Sequence, residues 1–347
     1  MKLIPPIYFI TLLLISCQQA PTNQKRKVER AIYHWKTVFE PSSEEKALLD
    51  SIHINKIYLK FFDIAWDKST KNQVLPIAKF YSKDSSYLTK SNVVVVPTVF
   101  ITNESLVHSE LTYMPTLASN IYSLVKQMVN INKLQNITEV QIDCDWTRTT
   151  SEKYFALLTA IQLADTTIVI SSTIRLHQIK YASKAGVPPI KKGMLMCYNM
   201  ANLTNLSTAN SILDVATLQS YLSFLQQYPI PLDVALPLFE WGVLFNKGRY
   251  KGIIHTFNYT QLNTTIAQQQ LNTYTLIHDT IIDNISFRKG DVIRHEYPSQ
   301  LALMNASKII SNRLHKTNCT IALYHLDSLT LKKFKPNELE NIYTSFY

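Results

Sequence analysis

The run Glu139-Val140-Gln141-Ile142-Asp143-Cys144-Asp145-Trp146 has an apolar, β-forming centre and ends on two acids and a tryptophan. A short run of this kind has the pattern of a buried parallel strand that delivers polar side chains at its carboxyl end. The pattern recurs on both sides. Upstream it covers residues 31–35, 56–63 and 93–101; downstream it covers 167–174, 193–198, 232–238 and 319–324. Helical spacing fills the gaps. Ser42-Ser43-Glu44-Glu45 forms a capping box ahead of Leu48, Leu49 and Ile52. Leu117, Ile121, Leu124, Val125 and Met128 share a helical face, as do Tyr154, Leu157, Leu158 and Ile161 behind a cap at 149–152. Leu218, Tyr221, Leu222 and Leu225 mark a helix stopped by Pro229, and another is expected over about 299–314. Eight strands alternating with helices predict an α/β chain folded as a single (β/α)8 TIM barrel. Residues 246–297 are too many for one loop and predict an inserted subdomain after the seventh strand.

The front of the chain sets the compartment. Met1-Lys2 is followed by an apolar run at 7–15, which is short for a bilayer span and suits an export signal. Leu14-Ile15-Ser16-Cys17 resembles the bacterial lipobox, which implies acylation of Cys17 after removal of a signal peptide at 1–16. Residues 17–30 are polar and unpatterned and are expected to be a tether, with the barrel spanning 31–347. Within the tether, Lys25-Arg26-Lys27 either meets anionic headgroups or keeps the segment solvated. Gln18, following the cysteine, is not the aspartate associated with inner-membrane retention. The expected place is therefore the outer membrane, facing the periplasm.

The totals exclude several classes. The net charge of +10 becomes +9 without Lys2, and its lysines and arginines are scattered, so no nucleic-acid partner is expected. There are six glycines, and neither GxGxxG nor GxxxxGK occurs, which leaves no nucleotide cofactor site to propose. Cys144, Cys197 and Cys319 lie in apolar runs without metal-ligand spacing and read as small buried hydrophobes. No metal is expected.

Strand ends of such barrels carry the working groups. Trp35, Trp66, Trp146 and Trp241 are all four tryptophans of the chain, and each follows a strand. Flat aromatic faces at one end suit sugar rings, although any of the four could instead fill the core. His34, Asp63, Asp143, Asp145, Arg175, His177, Tyr198, Asn199 and Glu240 fall in the same zone.

At Ile142-Asp-Cys-Asp-Trp-Thr147 the chain resembles family 18 glycoside hydrolases, whose fourth strand ends in a DxDxE run. Asp143, Asp145 and Trp146 match, while Thr147 stands where that family has its acid/base glutamate. Met196-Cys-Tyr-Asn199 resembles the family's Met-x-Tyr-Asp, with Asn for Asp. Residues 142–146, 172–178 and 193–199 together are more similar to the barrel lipoproteins of domain-of-unknown-function family 3142, a likeness that implies fold. The family 18 mechanism needs the glutamate to protonate the leaving group while a substrate acetamide attacks. A threonine hydroxyl cannot donate that proton.

Two chemical readings stay open. In one, Asp145 and Glu240 face each other and act as a carboxylate pair, with Asp143 deeper and Glu240 supplying the proton. In the other, hydrolysis is lost and the mouth binds a polysaccharide or other glycan through Trp35, Trp66, Trp146, Arg175, His177, Tyr198, Asn199 and Trp241. A third possibility is a structural or assembly lipoprotein. The two aspartates could also be a structural ion pair with Arg175, and His34 and His177 could be structural histidines.

Overall fold

The computed structural model describes residues 26–69 and 73–347; Cys17 and the signal peptide expected at 1–16 lie outside the described residues. Eight parallel strands close on themselves: β1 (Val28–His34), β2 (Lys56–Asp67), β3 (Val94–Ile101), β4 (Glu139–Cys144), β5 (Val169–Arg175), β6 (Gly193–Met196), β7 (Leu232–Pro237) and β8 (Cys319–Tyr324). Closure is carried by β1, which pairs with β8 in the register Val28 to Cys319 and with β2 in the register Ala31 to Lys56. This is the (β/α)8 TIM barrel.

Most strands are apolar through their middle because one face meets the barrel interior and the other meets the helices, while β5 carries Ser171, Ser172 and Thr173 there. Helix α1 (Ser43–Ser51) starts on the expected capping box, Ser42 accepting from the Glu45 amide while Glu45 accepts from the Ser42 amide. Helix α2 (Met114–Ile131) has Pro115 in its first turn and buries Leu117, Ile121, Val125 and Met128. Helix α3 (Ser151–Ala164) buries Tyr154, Leu157, Leu158 and Ile161. Its expected cap is absent: Thr150 makes no capping bond, because its hydroxyl donates to Asn103 and accepts from the Thr147 amide. Short α4 (Leu176–Lys180) follows β5. Helices α5 (Val215–Leu222) and α6 (Gln300–Arg313) pack side by side, and α7 (Pro336–Thr344) ends the chain.

Two boundaries differ from expectation. The first strand begins at Val28, so residues 26–30 are built into the barrel instead of a tether. Arg26 donates to the carbonyls of Leu314, His315 and Phe346, and Arg30 pairs with Glu340 at 2.7 Å. Long basic side chains can lay their stems on apolar surface and still satisfy their ends, which a polar-composition reading overlooks. The insertion, in turn, starts at Trp241. Its five-stranded antiparallel sheet runs Arg249–Ile254, Trp241–Asn246, Val292–Glu296, Thr273–Leu276 and Ala267–Gln270 in spatial order. Ile254, Phe257, Leu276, Phe287 and Ile293 give part of it a core of its own.

The floor of the barrel, at the strand amino ends, is closed by charge. Lys56 pairs with Glu29, and Lys192 bridges Glu139 at 2.8 Å and Asp233 at 3.1 Å. The opposite end is open.

Candidate functional site

A cavity of about 490 Å³ occupies the mouth at the strand carboxyl ends, with the inserted sheet as one wall. It gathers Trp35, Asp143, Asp145, Arg175, Tyr198, Asn199, Glu240 and Trp241 from the sequence-derived set. Trp66, Trp146 and His177 are not among its lining residues.

Strand parity explains the division. Side chains alternate across a strand, so Gln141, Asp143 and Asp145 share the interior face while Val140, Ile142, Cys144 and Trp146 share the helix-facing side. Trp146 is accordingly core, 2% exposed, stacked on Tyr154 at 5.1 Å, with its indole N–H donating to the Ala185 carbonyl. It is no sugar platform. Trp66 sits where β2 runs past the barrel to pair antiparallel with Gln73–Ile77, and it stacks on His108 at 4.7 Å. His177 is exposed on α4. Burial, then the Arg175 charge, lowers its pKa.

Asp143 is 6% exposed and accepts a 2.5 Å bond from the Thr173 hydroxyl. Burial first, then the charge of Asp145, raises it from 3.8 to about 6 against the opposing pull of Arg175. Asp145 stands at the rim, held by Arg175 through Nε at 2.5 Å and Nη2 at 3.0 Å. The ion pair considered for the two aspartates is thus made by Asp145 alone. Burial works against the Arg175 cation, but Asp145, Tyr198 and Asp143 outweigh it and keep it protonated.

Across the insert junction, Glu240 accepts from His295 Nε2 at 2.6 Å and from Lys333 Nζ. Burial pushes its carboxyl up, yet these two partners more than reverse the effect and lower it below 4.5. Glu240 is therefore an ion near neutral pH. The expectation that it supplies a proton is overturned, because the hydrogen bonds from His295 and the Lys333 ammonium stabilise its charged form. Tyr259 stacks on His295 with centroids 3.5 Å apart and fixes the imidazole plane.

Trp241 opens the insert and is anchored from behind. Its indole N–H donates to Glu296 at 2.8 Å. Glu296 also accepts from the Ser211 amide at 3.0 Å and from Arg294 Nε at 2.6 Å. The other Arg294 donors reach the carbonyls of Leu203, Asn205 and Leu206. One buried ion pair thereby joins the insert, the loop after β6 and a wall of the cavity.

Sequence reasoning missed Lys36, Phe100, Phe239, His255, Phe257, Tyr259, Tyr324, His325 and Asp327, all of which line the cavity. Phe100 is the last residue but one of β3 and Tyr324 ends β8, and the strand-end rule could have found them. The insert residues carried no local signal. Thr147, at the family 18 acid/base position, is exposed, bonds to Thr149 and Thr150, and is not among the lining residues.

No family model and no curated protein matches this chain in sequence. Solved structures match its fold. The spore cortex-lytic enzyme SleL of Bacillus cereus aligns with a TM-score of 0.57 and 10% identity, over 94% of this chain and 76% of that one. A chitinase from Bacteroides thetaiotaomicron gives 0.54 and 12%, over 92% and 97%. A chitinase from Chromobacterium violaceum gives 0.52 and 9%, over 92% and 98%. At these identities the likeness carries the barrel architecture, and the chemistry must come from the mouth itself.

Proposed function

We propose that the barrel mouth binds a glycan and does not cleave it by the two-carboxylate route in which Glu240 is the acid. The observation that carries this reading is the tie of Glu240 to His295 and Lys333 in a cavity walled by Trp35, Tyr198, Phe239, Trp241 and Tyr324. Aromatic faces and short polar side chains suit sugar rings. Departure of a sugar oxygen needs a proton donor, and neither Thr147 nor ionised Glu240 is one. The names of the fold neighbours, chitinases and a spore cortex-lytic enzyme, support a glycan as the ligand class.

A hydrolytic reading keeps one observation in its favour. Asp143 holds its proton to about pH 6 beside Asp145, which is the asymmetry an acid and a second carboxylate require. Calorimetric titration of the full-length protein in detergent with chitin and peptidoglycan oligosaccharides, followed by a reducing-end assay of the same mixtures, separates the two. Binding without new reducing ends is the expected result. New reducing ends that disappear in Asp143→Asn would establish hydrolysis, and no binding at all would leave a structural or assembly role.

We further propose that Cys17 is acylated and holds the barrel at a membrane of the cell envelope, on the outer membrane's periplasmic side. The lipobox-like run 14–17 supports the acylation, and Gln18 after the cysteine, in place of an aspartate, supports the outer membrane.

A further inference from the structure

We infer, resting on the glycan reading above, that the polymer taken by this mouth carries free amines: the ligand class is a cationic amino-sugar glycan. The chain as a whole is basic, with 35 lysines and arginines against 25 acids. Its mouth has the opposite balance. Leaving the imidazoles aside, Asp143, Asp145, Glu240 and Asp327 line the cavity against Lys36 and Arg175.

Those cations are already engaged. Lys36 binds Asp327 at 2.8 Å, Arg175 holds Asp145 with two donors, and Lys333, from just behind the wall, holds Glu240. Asp143 makes no ion pair among the described residues; its one hydrogen-bond donor is Thr173. A ligand carboxylate, sulfate or phosphate would meet acids and no unengaged lysine or arginine. Arg175 acts on Asp143 from a distance, and an ammonium would supply a cation in direct contact with it.

The aromatic arrangement points the same way and is independent of the charges. Trp35 and Tyr324 lie 5.6 Å apart and tilted, Tyr324 and Tyr198 4.9 Å apart and stacked, and Tyr198 and Phe239 5.7 Å apart edge to face, which makes a continuous row of aromatic rings in the same cavity as Asp143. An acid and aromatic rings lining one cavity are a combination that recognises ammonium groups, because ring faces attract cations and repel anions. Arg175 already lies 5.9 Å over the Tyr198 ring in this way. Burial of the Asp143 carboxylate is costly, and an ammonium beside it would offset that cost.

The test is a calorimetric comparison of three oligosaccharides of equal length on the full-length protein in detergent, at low and raised salt. The probes are a fully deacetylated chitosan oligomer, its N-acetylated chitin counterpart and an oligo-galacturonate. The deacetylated oligomer should bind roughly tenfold more tightly than the acetylated one at low salt, and the gap should narrow as salt rises. The galacturonate should not bind. Asp143→Asn should lower affinity for the deacetylated oligomer more than for the acetylated one. Equal or tighter binding of the acetylated oligomer overturns the amine inference and leaves the glycan reading intact. Binding of none of the three overturns both. A preference unchanged in Asp143→Asn, with near-ultraviolet dichroism matching the wild type, also overturns the role of this carboxyl.

Discussion

At Asp143 the cost of burying a charge is visible as a pH effect. Its folded pKa of about 6 lies above the unfolded 3.8, so the native state holds an extra proton between these values. Stability then falls as pH rises through that window and levels off above it. Asp143→Asn removes the dependence. The variant should gain on the wild type from about pH 4 to about pH 7, by on the order of 3 kcal/mol at the plateau. Thermal unfolding of both proteins across that range checks this, and parallel profiles would count against it. Trp146 and Trp241 separate in the same way by position. Trp146→Ala should cost about 3–5 kcal/mol and lower the melting temperature, because it empties a packed site against Tyr154 and Phe155. Trp241→Ala should weaken ligand binding and lower stability less than Trp146→Ala does, because its buried ring lines the cavity and its indole N–H also holds Glu296. Reversal of the two phenotypes would refute the assignment. The alternation 141, 143, 145 against 142, 144, 146 was available in the sequence, so the place of Trp146 was legible there. Counting tryptophans at strand ends without their parity concealed it.

Among the elements, the eight strands were readable because a parallel strand buried on both faces leaves a mostly apolar or β-branched run, even where β4 and β5 bury Gln141, Ser171, Ser172 and Thr173. The insert was not readable in the same way. Its wall of the cavity, from His255 to Tyr259, is placed by antiparallel pairing of Trp241–Asn246 with Val292–Glu296, some fifty residues apart in the chain. No local pattern announces that the Glu240 carboxylate will meet His295 and Lys333. The junction of insert and barrel depends on Glu296, which is fully buried with Arg294. Glu296→Gln leaves a buried guanidinium without its counter-ion and should cost on the order of 3–5 kcal/mol. The loss should be local. Amide exchange should accelerate across residues 199–214 and 241–296 while the strands of the barrel keep their protection. Uniform acceleration throughout the chain would show that the insert is not a separable unit.

For the whole molecule, closure through β1 and β8 joins residues 291 positions apart and brings both ends of the described chain to the floor. Cys17→Ser should move the protein from the detergent phase to the aqueous phase and abolish the lipid mass on the N-terminal peptide. Recovery of an unmodified wild-type Cys17 from membranes would refute the anchor. The floor also determines what the mouth can face. Arg26 is fastened to the carbonyls of Leu314, His315 and Phe346, so the described residues begin at the underside. The seven residues of β1 rise roughly 20 Å from there to the opening. If the proposed lipid on Cys17 carries the protein, the barrel stands like a cup on its base. Its opening then turns away from the membrane, which is the side from which the proposed glycan would have to arrive.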